Sequence, residues 1–150
     1  MVATACDSVV KLWSVATGNA LATLIGHRDE IRCLSFSPDG RLLATGSADQ
    51  TVILWGVASG KRVRTLACGG DGVYCLAFSS NGHMLASGEL AKGSVAGAAR
   101  ICDVAAGKSV RIIDPKSRSV TAVAFLEGDS QLAVATDETV TLWPISGKWD

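Results

Sequence analysis

The chain has 150 residues, 14 basic and 14 acidic, and 48% of them are hydrophobic. That is enough apolar material for a core, and it excludes a disordered chain. A general nucleic-acid or anionic-membrane binder needs a clustered basic excess, whereas these basic residues are scattered, so nucleic acid is not the expected partner.

No apolar run approaches the roughly 20 residues of a membrane span. The opening stretch MVATACDSVVK has neither a basic start nor an unbroken apolar segment, so the expected location is intracellular, cytoplasmic or nuclear, with no membrane association. Five cysteines without a C-x-x-C pair and only two histidines offer no spacing for a disulfide framework or a zinc site. No metal and no cofactor is expected.

One domain, residues 1–150, divides into four units. The first, residues 1–25, opens inside a strand b and places its strand c in VVKLWSVATGN. The second, 26–67, has the fullest signals: Ile31 to Phe36 as strand a, SPDG as a turn, Arg41 to Ser47 as strand b, Thr51 to Val57 as strand c and Arg62 to Leu66 as strand d. The third, 68–113, repeats strand a in VYCLAF and strand c in AARICDV. From Phe78 to Cys102 it runs 24 residues where Phe36 to Trp55 takes 19, so five extra residues enter its b–c connection, Glu89 to Ala98. The fourth, 114–150, carries VTAVAF and TVTLWPISGK and stops just past strand c.

The repetition is the dominant signal. Trp13 and Trp55 stand 42 apart, Cys102 lies 47 beyond and Trp143 another 41, while Phe36, Phe78 and Phe125 keep the same 42 and 47. Gly18, Gly60, Gly107 and Gly147 recur in the c–d turn. Strand c alternates with period two, setting Val10 and Leu12, Val52 and Leu54, Ala99 and Ile101, or Val140 and Leu142 on an apolar face. Strand a, apolar on nearly both faces, is expected deepest, and strand d with Arg62, Arg64 and Arg111 is expected as a solvated edge. Cys33 and Cys75 share one repeat position with Ala122, which marks them as small buried hydrophobes.

Units of about 42 residues with four short strands, Gly26-His27, FSPDG from Phe36, LATGSAD from Leu43 and TVILW from Thr51, taken in that order and spacing, resemble the tryptophan-aspartate (WD) repeat family of β-propellers. The likeness implies an all-β fold, a β-propeller segment of about three to three and a half four-stranded blades in an incomplete ring. The Asp that follows Trp in the family is Ser14, Gly56 or Pro144 here, and the third unit has Cys102-Asp103 with no Trp. The Trp149-Asp150 pair lies out of register.

The resemblance also implies a non-catalytic scaffold that binds a protein or peptide partner. His27, Thr45 or Ser47, and Asp49 invite a hydrolase reading, but no G-x-S-x-G elbow accompanies them. In the family, such residues form with the strand-c Trp, here Trp55, a structural hydrogen-bond network. The alternatives are an enzyme using His27 and Asp49, or a nucleic-acid-associated propeller. The GKS at Gly107 lacks the preceding glycine of a phosphate loop, and the turn residues Asp29, Glu30, Asp39, Asp71 and Asp129 are expected to be solvated.

The binding face is expected at the channel mouth. Arg32, Tyr74 and Thr121 vary at one repeat position between constant aliphatics, Glu30 and Gly72 lie two residues before Arg32 and Tyr74, and Glu89 and Lys92 belong to the insertion. The ring cannot close as read, so two apolar faces are expected to be left open for further blades or a second copy.

Overall fold

The computed structural model describes residues 1–93, 97–126 and 128–145, so Gly147 and the Trp149-Asp150 pair lie outside the described residues. Fourteen strands form four antiparallel sheets, and no helix occurs among the described residues. Sheet 1 contains β1 (Val2–Cys6), β2 (Val9–Trp13) and β3 (Ala20–Ile25). Sheet 2 contains β4 (Ile31–Phe36), β5 (Leu42–Ser47), β6 (Thr51–Gly56) and β7 (Lys61–Ala67). Sheet 3 contains β8 (Val73–Phe78), β9 (Met84–Glu89), β10 (Ala99–Asp103) and β11 (Lys108–Ile113). Sheet 4 contains β12 (Val120–Leu126), β13 (Gln131–Thr136) and β14 (Val140–Pro144). Each sheet is a simple meander, and the strands of unit two fall within one residue of their expected bounds.

The sheets stack face to face as propeller blades, with three apolar layers between four sheets. Val10, Leu12 and Leu24 of sheet 1 meet Leu43, Ile53 and Trp55 of sheet 2. Ala44, Val52 and Leu54 meet Val73, Leu85 and Cys102 of sheet 3. Ala99 and Ile101 meet Val123, Leu132 and Val134 of sheet 4. The ring stays open. Val52 and Leu54 are each 1% exposed, but their counterparts Val140 and Leu142 are 70% and 58% exposed, because among the described residues no fifth sheet covers them. Each leaves about 1.5–3 kcal/mol of burial unrealised.

Two expectations about strand depth change. Strand a is innermost but not the most buried: β4 and β8 are half-buried along most of their length, whereas β5, β6 and β9 are buried. The reason is topological, since strand a is an edge strand with no in-sheet neighbour on one side. Of the three outer arginines, Arg62 is solvated as expected, but Arg64 and Arg111 are not simply solvated. Arg64 donates to the Ala105 and Ala106 carbonyls, and Arg111 donates to the Pro144 carbonyl, so these side chains tie neighbouring sheets together. At the same end of sheet 4, Asp129 accepts from the Ser80 amide and hydroxyl and from the Asn81 amide, another link between sheets in place of a solvated carboxylate.

The cysteines behave as core groups with one exception. Cys33 and Cys75 donate to the Val73 and Val120 carbonyls of the next sheet. Burial pushes the Cys33 and Cys68 thiols up to about 12 and those of Cys75 and Cys102 up to about 11, so none supplies a thiolate at neutral pH. Cys6 is exposed.

Candidate functional site: a buried network and a channel-mouth cluster

The His27 network assembles in sheet 2. The Gly26-His27 stretch follows β3, where a side chain at Gly26 would meet the Trp55 ring at 2.9 Å, so the glycine lets the connection cross the indole. His27 Nδ1 lies 2.9 Å from Asp49 Oδ2, and Nε2 lies 2.7 Å from Thr45 Oγ1. Because a carboxylate only accepts, Nδ1 donates to Asp49, and in the neutral imidazole Nε2 accepts from the Thr45 hydroxyl. That hydroxyl oxygen also accepts from Trp55 Nε1 at 2.9 Å. Ser47 stands apart, accepting from the Asp49 amide and donating to the Asp29 carbonyl.

The connectivity hydroxyl, imidazole, carboxylate is that of a hydrolytic triad, but its environment is not. Thr45 is fully buried, the His27 side chain is fully buried, and the hydroxyl oxygen is capped by an indole N–H. No substrate carbonyl can reach it. What the network does is bind the β3–β4 connection, β5 and β6 into one unit, at about 0.5–1.5 kcal/mol per bond.

Burial works against ionisation of Asp49. Hydrogen bonds from the Thr51 hydroxyl, the Arg28 amide and His27 outweigh it and hold the carboxyl below its ordinary value. A depressed folded pKa stabilises the fold above the unfolded value, about 3.9, and that contribution is lost as pH falls through the folded one. Asp49→Ala is therefore expected to cost about 1–3 kcal/mol at neutral pH, and the gap from the parent chain should narrow below about pH 4. Urea unfolding at a series of pH values reads this out, and a gap that stayed constant into acid would contradict it.

The other sheets depart from this network in informative ways. In sheet 1, Trp13 Nε1 donates to Thr4 Oγ1, the equivalent bond without a histidine. In sheet 4, Val134 replaces the hydroxyl, Trp143 donates instead to Thr141, and Asp137 accepts from Ser119. Sheet 3 has Gly69 for His27 and Cys102 for Trp55. A carboxylate and a guanidinium occupy that space: Arg100 Nε lies 2.7 Å from Glu89 Oε1, and a side chain at Gly69 would sit 3.1 Å from Glu89 Oε2 and 3.4 Å from Arg100 Nη2. Glu89, 2% exposed, thus faces inward. Hydrogen bonding to Glu89 raises the already high pKa of Arg100.

Of the residues expected at the channel mouth, Glu30, Arg32, Gly72 and Tyr74 come together. β4 and β8 run side by side, and the Arg32 guanidinium lies 4.2 Å from the centre of the Tyr74 ring, a cation–π contact. Arg32 also pairs with Glu30 at 3.6 Å and donates to the Asp71 carbonyl at 3.2 Å. Gly72 is buried with φ of 111°, and a side chain there would meet the Ala48 Cα at 2.7 Å, so it shapes the backbone beneath the cluster. Thr121 is exposed on β12 and donates to the Ala135 carbonyl. Lys92 is exposed in the insertion, of which residues 94–96 lie outside the described residues.

The family model described as WD domain, G-beta repeat matches three stretches of the chain, residues 18–56, 60–96 and 107–144. WD repeat-containing protein SL1-17 of Schistosoma mansoni is 33% identical over 132 residues, which is 88% of this chain and 42% of that protein. A Lissencephaly-1 homolog of Dictyostelium discoideum is 46% identical over 37 residues, 25% of this chain and 9% of that one. The guanine nucleotide-binding protein subunit beta of Zea mays is 40% identical over 45 residues, 29% and 12% respectively. The chain thus spans less than half the length of each of these relatives.

Proposed function

We propose that this chain, which belongs to the WD-repeat family of β-propeller proteins, holds a protein or peptide partner at the channel mouth, through Arg32 and Tyr74 above all. The repeat family is one of protein-interaction scaffolds, and nothing in the buried His27 network offers chemistry to a substrate. One observation carries the reading: the variable position of strand a gathers an arginine and a tyrosine into a single half-buried cluster, and both residue types are enriched where interfaces concentrate their binding energy. Glu30 and Thr121 extend the surface to either side, and exposed Lys92 stands above sheet 3. Glu89 supports sheet 3 from within and is not part of the contact. The open Val140 and Leu142 face takes a further sheet of the same repeat.

In quantitative capture of the partner from the native source, the double variant Arg32→Ala plus Tyr74→Ala should weaken binding by more than about 2 kcal/mol with the thermal transition unchanged. Charge reversal at Lys61, exposed at the outer edge, should do little. If Lys61→Glu abolished capture while the double variant bound normally, the binding face would lie elsewhere.

A further inference from the structure

A cavity of about 230 Å³ lies beside the His27 network, with Ile53 and Gly26 at its base and Arg28, Thr51, Arg62 and Thr65 around it. Arg62 and Thr65 are three residues apart on β7, and a regular strand would point them to opposite faces. A register shift between Leu54 and Trp55 changes this. It sets Arg62 opposite Trp55 and Thr65 opposite Ile53, two residues that share a face. Arg28 approaches from the β3–β4 connection, its backbone N–H anchored on Asp49 at 2.9 Å.

Charge in this cavity is unbalanced. Among the described residues, the guanidinium groups of Arg28 and Arg62 and the Thr65 hydroxyl have no hydrogen-bond or ion-pair partner, whereas Arg32, Arg64, Arg100 and Arg111 are all engaged. The carboxylate in the wall, Asp49, is already occupied by His27, the Arg28 amide, and the amide and hydroxyl of Thr51. Two cations therefore face one satisfied anion, leaving a net positive charge and several free N–H and O–H donors. An oxyanion with several acceptor oxygens fits that arrangement. The corresponding residues of sheet 3 are Gly70, Ser109 and Ile112, so the fold does not require these groups.

We propose that this cavity binds a phosphate monoester, presented as the phosphorylated serine or threonine side chain of a protein segment. No aromatic ring lines it, so a nucleobase would have nothing to stack on. The pocket is independent of the channel-mouth cluster, and its test can fail separately. The full chain, labelled with nitrogen-15, would be titrated with the peptide Gly-Gly-phosphoserine-Gly-Gly and with its unphosphorylated form. The expected result is saturable amide shifts centred on Arg28, Thr51 and Thr65 with the phosphopeptide alone. Arg28→Gln and Arg62→Gln should each weaken binding about tenfold, the factor for one lost charge-assisted hydrogen bond, while Arg32→Ala plus Tyr74→Ala leaves it unchanged. Both arginines are exposed, and a preserved amide spectrum shows that the variants fold. Equal binding of the two peptides, binding that survives the Arg28→Gln plus Arg62→Gln double variant, or inorganic phosphate binding as tightly as the phosphopeptide would each overturn the proposal.

Discussion

Glu89→Ala is expected to destabilise the chain by about 3–5 kcal/mol, because it strands the Arg100 guanidinium in a largely buried site with no counter-charge. The pair fills space that sheet 2 gives to His27 and Trp55, so the loss is a buried charge and a cavity together. Sheet 2 also indicates the remedy. It carries Ser47 and Ile53 at the positions of Glu89 and Arg100, and a buried ion pair replaced by apolar groups is often neutral in stability. Glu89→Ser plus Arg100→Ile should therefore recover the part of the single-variant loss that comes from the stranded charge, while the cavity beside Gly69 and Cys102 keeps the rest. Urea unfolding of the parent, the two single variants and the double variant measures the coupling. Simple additivity of the two single losses would show that the residues do not act as a pair.

Trp55→Ala should cost a similar amount, about 3–5 kcal/mol, for a different reason. The indole is 3% exposed, it packs against Val10, Leu12 and Leu24 of the preceding sheet, and its N–H caps the Thr45 hydroxyl at the centre of the network. Removal opens a cavity between two sheets and leaves Thr45 short of a donor. Trp143 occupies the same repeat position but is only half-buried, and its N–H goes to Thr141 on its own strand. Trp143→Ala should accordingly cost clearly less. Thermal and urea unfolding of both variants decides the order, and an equal or larger loss at Trp143 would contradict this account of why the repeated tryptophan matters.

The family resemblance supplied the grouping of His27, Thr45, Asp49 and Trp55, and the sequence by itself determined the blade: the 42-residue spacing, the period-two strands and the turn glycines. Those features are local or repeated, and each copy supports the reading of the next. It also placed Arg32 and Tyr74 at one repeat position, since a register shared by β4 and β8 makes equivalent residues neighbours. Only the tertiary structure decided what happens where copies differ. Glu89 reads in the sequence as an insertion residue on the expected binding face, yet it turns inward because the absent side chain at Gly69 and the small Cys102, 33 positions apart, leave a space that exists only once the sheet forms. Strand a read as deepest because it is apolar, but exposure depends on having a neighbour, and an edge strand lacks one. Arg64 and Asp129 looked solvated for the corresponding reason: their partners lie on the next sheet, about 40 to 50 residues away, at distances set by stacking rather than by spacing along the chain. The bulge that turns Arg62 and Thr65 to one face is a property of strand pairing, and no alternation rule applied to β7 alone would have found it.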